Sequence, residues 1–128
     1  MPFEITSPSI IHCGAGTFHK IADEAARLGK RAAIATGAHL YASDRVEKLI
    51  EDLRKRGVHA SIADPVTEEP TVDMVDALSA YIREERSEVV ISVGGGSVID
   101  TAKAAAAMAT NDGRTEAYQL KRREITNP

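Results

Sequence analysis

Val89-Val90-Ile91-Ser92-Val93-Gly94-Gly95-Gly96-Ser97-Val98-Ile99-Asp100-Thr101-Ala102-Lys103 decides how this chain folds. Four of the five residues from Val89 to Val93 are β-branched aliphatics, the pattern of a strand covered on both faces in a parallel sheet. Three glycines then remove every Cβ from the turn, so the backbone is free to reach positive φ and press close to a ligand. From Ser97 onward the composition shifts to helix formers, with Ala102, Ala104, Ala105, Ala106, Ala107 and Met108 in the run. The first amides of a helix lack intrahelical partners and the macrodipole adds positive charge, so an anion placed at these glycines is stabilised. Ser97 either caps the helix or donates its hydroxyl to a phosphate oxygen. A plain strand-to-helix turn needs one glycine, so three followed by serine read as a phosphate cradle. The motif is neither the P-loop pattern G-x-x-x-x-G-K-[ST] nor G-x-G-x-x-G, because Ile99 stands where the third glycine belongs.

Working outward, the same alternation of strand and helix recurs. Arg31 to Thr36 is short and apolar, a strand ending at Gly37. Val46, Leu49, Ile50 and Leu53 stand at helical spacing, with Asp44 as the expected cap, Glu47 completing a capping box and Gly57 after the last turn. Val58 to Ala63 predicts a strand. Residues 64–70 predict a loop, since Pro65 and Pro70 deny it both helix and ladder. Thr71 then caps a helix with Val75, Leu78 and Ile82 on its buried face, ending near Arg86. Upstream, Thr17 caps a helix running to Leu28, and residues 3–12 read as short strands or a hairpin broken by Gly14 to Gly16. The order implies an α/β fold with a parallel sheet, helices on both faces and right-handed crossovers. Ligands bind such sheets at the carboxyl ends of the strands, where Gly37, the 64–70 loop and Gly94 to Ser97 all fall.

At 128 residues the chain is one domain by length. We divide it into an α/β domain over 1–113 and a polar tail over 114–128, loosely attached because only Ala117, Tyr118, Leu120 and Ile125 offer apolar anchors. A formal charge of −3 argues against a nucleic-acid binder, and Lys121-Arg122-Arg123 reads as a solvated segment. There is no tryptophan and few other aromatics to stack on bases. Cys13 is the only cysteine, which excludes an internal disulfide and suits a reducing cytoplasm. No apolar run approaches a membrane span, and the first residues lack the basic-then-apolar order expected of a signal peptide. His12, His19, His39 and His59 show no i, i+4 pair, so no metal site is expected in this chain, and no catalytic residue is singled out in it.

The ten residues Gly94 to Lys103 resemble the G-G-G-S-x-x-D-x-A-K signature of the iron-containing (group III) alcohol dehydrogenases at every fixed position. Gly14 to Gly16, Ala35-Thr36-Gly37 and the stretch from Pro65 to Pro70 support the resemblance, which covers essentially the entire chain. It implies a Rossmann-like dinucleotide-binding domain of an enzyme that passes hydride between NAD or NADP and an alcohol or carbonyl. It also implies an all-helical second domain, beyond these residues, holding a divalent metal such as iron or zinc. Carried over by position, Gly95, Gly96 and Ser97 would hold the pyrophosphate, with Gly94 beside them among the cofactor-binding residues, and Asp100 would lie on the first helical turn near the nicotinamide. Gly37 and the loop through Thr67 and Pro70 would flank the adenosine, with His39 after the nucleotide-facing strand end.

Two departures from that family follow. The chain reaches Pro128 where the family continues toward its helical domain, so little or no turnover is expected from it alone. Gly37 stands where members that prefer NAD often carry aspartate, and glycine neither accepts from the ribose 2′-OH nor repels a 2′-phosphate. NADP is therefore expected to be tolerated, with His39 or Arg45 as phosphate partners. Rival readings are a stand-alone nucleotide-binding module and a relative closer to glycerol dehydrogenase or dehydroquinate synthase. Exposed apolar surface at the sheet edge is expected to drive homo-oligomerisation.

Overall fold

Ala32, Ala33, Ile34 and Ala35 are all 2% exposed or less, and Arg31–Thr36 runs between two layers of helices as the central strand β1. The structure, a computed structural model, describes residues 10–67 and 69–127. β1 pairs in parallel with β2 (His59–Ile62) on one side and β3 (Val89–Val93) on the other, giving the order β2-β1-β3. Ala32 lies opposite Val89 and Thr36 opposite Val93. Parallel neighbours cannot be joined by tight turns, so helices make both crossovers.

These helices are α1 (Lys20–Leu28), the single-turn α2 (Ala38–Tyr41), α3 (Asp44–Lys55), α4 (Val72–Glu84) and α5 (Gly96–Ala109). Successive side chains of a strand point to opposite faces, and β1 uses this to serve two cores. Ala32 and Ile34 meet Ala22 and Ala25 of α1 and Leu49 and Leu53 of α3. Ala33 and Ala35 meet Leu78 and Ile82 of α4 and Ala102 and Ala105 of α5. Helices thus cover both faces of a parallel sheet, as the alternation of elements predicts. Full burial of Ile34 and Leu53, both 0% exposed, stabilises the fold by about 1.5–3 kcal/mol each.

Several boundaries differ from expectation for local reasons. Ser43, not Asp44, caps α3, its hydroxyl oxygen accepting from the Val46 amide at 3.4 Å; Asp44 falls in the first turn, where its charge suits the dipole. Thr71 does cap α4, accepting from the Met74 amide at 3.2 Å. Thr17 caps nothing. It lies in the 3-10 turn Thr17–His19 and donates its hydroxyl to the Gly14 carbonyl at 3.0 Å, so α1 begins only at Lys20. Helix α4 stops at Glu84, and Arg86, at φ 50°, turns the chain through the left-handed region toward β3. Of the expected N-terminal strand or hairpin, residues 3–9 lie outside the described residues and 10–12 form no strand.

The segment after α5 is more firmly held than its few apolar residues suggest. Arg114 reaches Asp73 at 2.8 Å and Asp76 at 2.9 Å, and the Thr115 amide donates to Asp76 at 2.8 Å. Asn111, 4% exposed, accepts from the amides of Thr126 and Asn127 at 3.0 and 3.2 Å and donates to the Asn127 carbonyl at 2.7 Å. Burial raises the Asp76 carboxyl, but hydrogen bonds from Thr115 and Arg114 outweigh that and hold it below the usual aspartate range. Polar anchoring replaces the apolar anchoring whose scarcity suggested a loose tail.

Candidate functional site

β3 ends at Val93 and α5 begins three residues later, capped by Gly95 with no side-chain bond to the helix start. Ile99 donates to the Gly95 carbonyl at 3.1 Å, so the amides of Gly96, Ser97 and Val98 precede the intrahelical ladder. A Cβ built on Gly95 or Gly96 meets no atom within 4 Å, whereas one on Gly94 comes within 2.8 Å of Val98 Cγ2. Gly95 and Gly96 therefore leave open space above the helix amides, and Gly94 lets Val98 pack beneath the turn. None of the three has a positive φ; Gly95 is at −84°. Their value is close approach rather than the conformational freedom expected from sequence.

The crevice lies at a reversal of strand order. The β1-to-β2 crossover carries α3 on one face, and the β2-to-β3 crossover carries α4 on the other. The carboxyl ends of β1 and β3 therefore flank a topological switch point, where open α/β sheets bind ligands. Gly37 ends β1, and a Cβ there would lie 3.5 Å from Val98 Cγ2, so Val98 contacts both glycine positions. Gly37 bridges to Val66 in parallel, and the Val66 amide donates to the Thr36 carbonyl at 2.8 Å. This lays the 64–67 loop beside the end of β1.

Of the residues singled out from sequence, Gly37, Gly94, Gly95, Gly96 and Ser97 come together, with Thr67 and Pro70 exposed on the adjoining loop. Ser97 does not cap α5; its hydroxyl donates to Glu69 Oε1 at 3.1 Å, tying that loop to the helix start. His39 is exposed on α2, whose turn closes on the Gly37 carbonyl through the amides of Leu40 and Tyr41. Asp100 is exposed and lies just past the first turn of α5, not on it. Arg45 stacks its guanidinium over Phe18 at 5.7 Å from the ring centroid. Sequence reasoning missed Val98 and Glu69. It also missed Thr101, 0% exposed, which donates its hydroxyl to the Ser97 carbonyl at 2.7 Å.

Among the described residues, no three His, Cys, Asp or Glu side chains gather closely enough to hold a metal. His12 instead lies 3.1 Å from Glu24. Cys13 is free and exposed. No helix among the described residues is long and apolar enough to cross a membrane.

A parallel sheet with helices on both faces and a glycine-rich helix start at its switch point makes this an α/β domain of the Rossmann-like class. Residues 8–128 match the family model for iron-containing alcohol dehydrogenase, and the chain belongs to that family. It is 36% identical over 116 residues to alcohol dehydrogenase 4 of Saccharomyces cerevisiae, covering 88% of this chain and 30% of that protein. The NADH-dependent butanol dehydrogenase A of Thermotoga maritima superposes with a TM-score of 0.83 at 28% identity, covering 97% of this chain and 32% of that one. The sulfoacetaldehyde reductase of Bifidobacterium kashiwanohense, solved in complex with NAD+, superposes with a TM-score of 0.80 at 26% identity, covering 98% and 33%. The chain thus spans about a third of the length of these relatives.

Proposed function

We propose that this chain is a dinucleotide-binding domain that seats the pyrophosphate of NAD or NADP on the amides of Gly95, Gly96 and Ser97. The observation that carries the reading is the open space above Gly95 and Gly96 at an uncapped helix start. A cradle that a Cβ would fill fits a phosphate, and the amides of a helix N-terminus stabilise its charge. Gly37 faces the same crevice and admits the adenosine side of the ligand. When bound, the cofactor supplies or accepts hydride in the interconversion of an alcohol and a carbonyl. Two relatives support the nicotinamide assignment: one is described as NADH-dependent and one was solved with NAD+.

Within this reading residues 1–113 form the cofactor domain, and the segment after it is tied back to α4 through Arg114 and Thr115 and to Asn111 through Thr126 and Asn127. The chain's own work is to hold and orient the cofactor in a cytoplasmic setting, while a divalent metal and the substrate contacts come from outside residues 1–128. Isothermal titration with NAD, NADP and ADP-ribose tests the proposal, run beside an alcohol-oxidation assay with and without added iron or zinc. Saturable binding of all three ligands without turnover is expected. Absence of binding at millimolar ligand would refute it.

A further inference from the structure

We propose that Glu69 is a resident competitor for the anion seat at the start of α5, and that its charge sets how tightly the chain holds a pyrophosphate. The inference rests on the reading of that seat as the cofactor's pyrophosphate site. Ser97, the second residue of α5, donates its hydroxyl to Glu69 Oε1 at 3.1 Å. A carboxylate held there is at the positive end of the helix dipole, the place a phosphate would take.

Among the described residues, no other contact accounts for that placement. The start of α4 is capped by Thr71, two residues further along, and its first-turn Asp73 pairs with Arg114. Among the described residues no cation forms an ion pair with Glu69. Residues 96–99, the first turn of α5, include no basic side chain, so the attraction at the seat comes from backbone amides and one hydroxyl. Against so modest a positive potential, a single carboxylate is a large part of the local charge.

A serine hydroxyl carries one proton and donates it to one acceptor at a time. A phosphate oxygen that takes the Ser97 proton must therefore evict Glu69, and a carboxylate that stays nearby repels it. Glu69 is exposed on a loop, so its side chain is free to leave. The contact is weak enough to be displaced and charged enough to be felt.

The test is titration of wild type, E69Q and E69K with NAD, ADP-ribose and adenosine, each variant first checked for an unchanged urea midpoint. Glu69→Gln should tighten NAD and ADP-ribose about two- to fivefold, the size to which a helix-terminus charge interaction converts. Glu69→Lys should tighten them further, adenosine should be indifferent to both changes, and the gains should shrink as salt is raised. Equal or weaker dinucleotide binding by E69Q, with wild type binding normally, overturns the competitor role while leaving the site intact. If neither wild type nor variant binds NAD or ADP-ribose, the seat itself has been misread and this inference falls with it.

Discussion

Replacing the three glycines of the β3–α5 turn by alanine, one at a time, separates folding from binding. At position 94 the new methyl would lie 2.8 Å from Val98 Cγ2 and 3.0 Å from Val98 Cβ. Val98 is 6% exposed, and a β-branched residue on a helix has one comfortable χ1, so it has no rotamer in which to escape. The clash is relieved only by shifting α5 against β3, an overpacking cost of about 1–3 kcal/mol. The stiffer unfolded chain offsets about 0.4–1 kcal/mol of that. A net loss of about 1–2 kcal/mol remains, read as a melting temperature lower by about 3–8 °C in a domain of this size.

Positions 95 and 96 have no atom within 4 Å of the added methyl and no positive φ, so alanine there should leave stability unchanged or slightly raised. The methyl instead occupies the space assigned to the phosphate, and NAD affinity should fall at least about tenfold, or about 1.4 kcal/mol. Urea unfolding followed by circular dichroism reads the first effect and calorimetric titration the second. A G94A/V98A double variant should be less destabilised than the sum of its singles, because Val98 is the partner in the clash. Gly94→Ala melting like wild type while Gly95→Ala unfolds, or Gly95→Ala and Gly96→Ala binding NAD normally, would refute the reasoning.

Gly37→Asp should raise the preference for NAD over NADP by about tenfold or more, since a carboxylate there accepts from the ribose 2′-OH and repels a 2′-phosphate. Its φ of −81° and nearest contacts of 3.5 and 3.8 Å admit the side chain, so paired titrations that show no change in the NAD/NADP ratio would count against that assignment. The Asp76 carboxyl is held below its ordinary value, so the stability it contributes is present above the normal aspartate range and lost as pH falls through the lowered value. The protection factor of the Thr115 amide, its exchange corrected for the intrinsic rate at each pH, should therefore fall at acid pH, and Asp76→Asn should lower it at neutral pH; a protection factor that stays constant with pH would contradict it. Leu28, 72% exposed, lines a groove of about 490 Å³ with Val89, Val90 and Ile91 of β3, which is an edge strand among the described residues. Sedimentation should show concentration-dependent self-association that Leu28→Glu abolishes, and a clean monomer at high concentration would dispose of that expectation.

What was legible in the sequence was whatever periodicity and composition encode locally. Val46, Leu49 and Leu53 stand at helical spacing and are buried on α3, and Val89 to Val93 alternates between two cores as a β-rich run should. The carboxyl-edge placement of Gly37 and Gly94 to Ser97 followed from topology alone. The misplaced features depend on partners distant in sequence or on competition between neighbours. Ser43 and Asp44 are both good caps, and only the chain path chooses between them. Arg114 is an ordinary surface charge until folding brings Asp73 and Asp76 beneath it. The role of Val98 was invisible because a valine in a helix reads as core; its contact with two glycines from different strands exists only once β1 and β3 are paired.

That contact constrains the turn although it is built from glycine. Gly94 and Gly37 both approach Val98, which belongs to the same buried layer as Ala35, Ala102 and Ala105. The separation between the end of β1 and the start of α5 is thus fixed by core packing at close-packed density, and not by loop chemistry. Thr101 adds a second constraint, its buried hydroxyl bonding the Ser97 carbonyl one turn back. The amides of residues 96–98 take their orientation from that layer, so under the proposed reading a phosphate would meet them without their first having to be ordered. Such preorganisation matters more here than in a site with a lysine, because no basic side chain stands in the first turn of α5 to compensate for misaligned dipoles. A glycine run without Val98 beneath it would be equally open but would have no fixed aim.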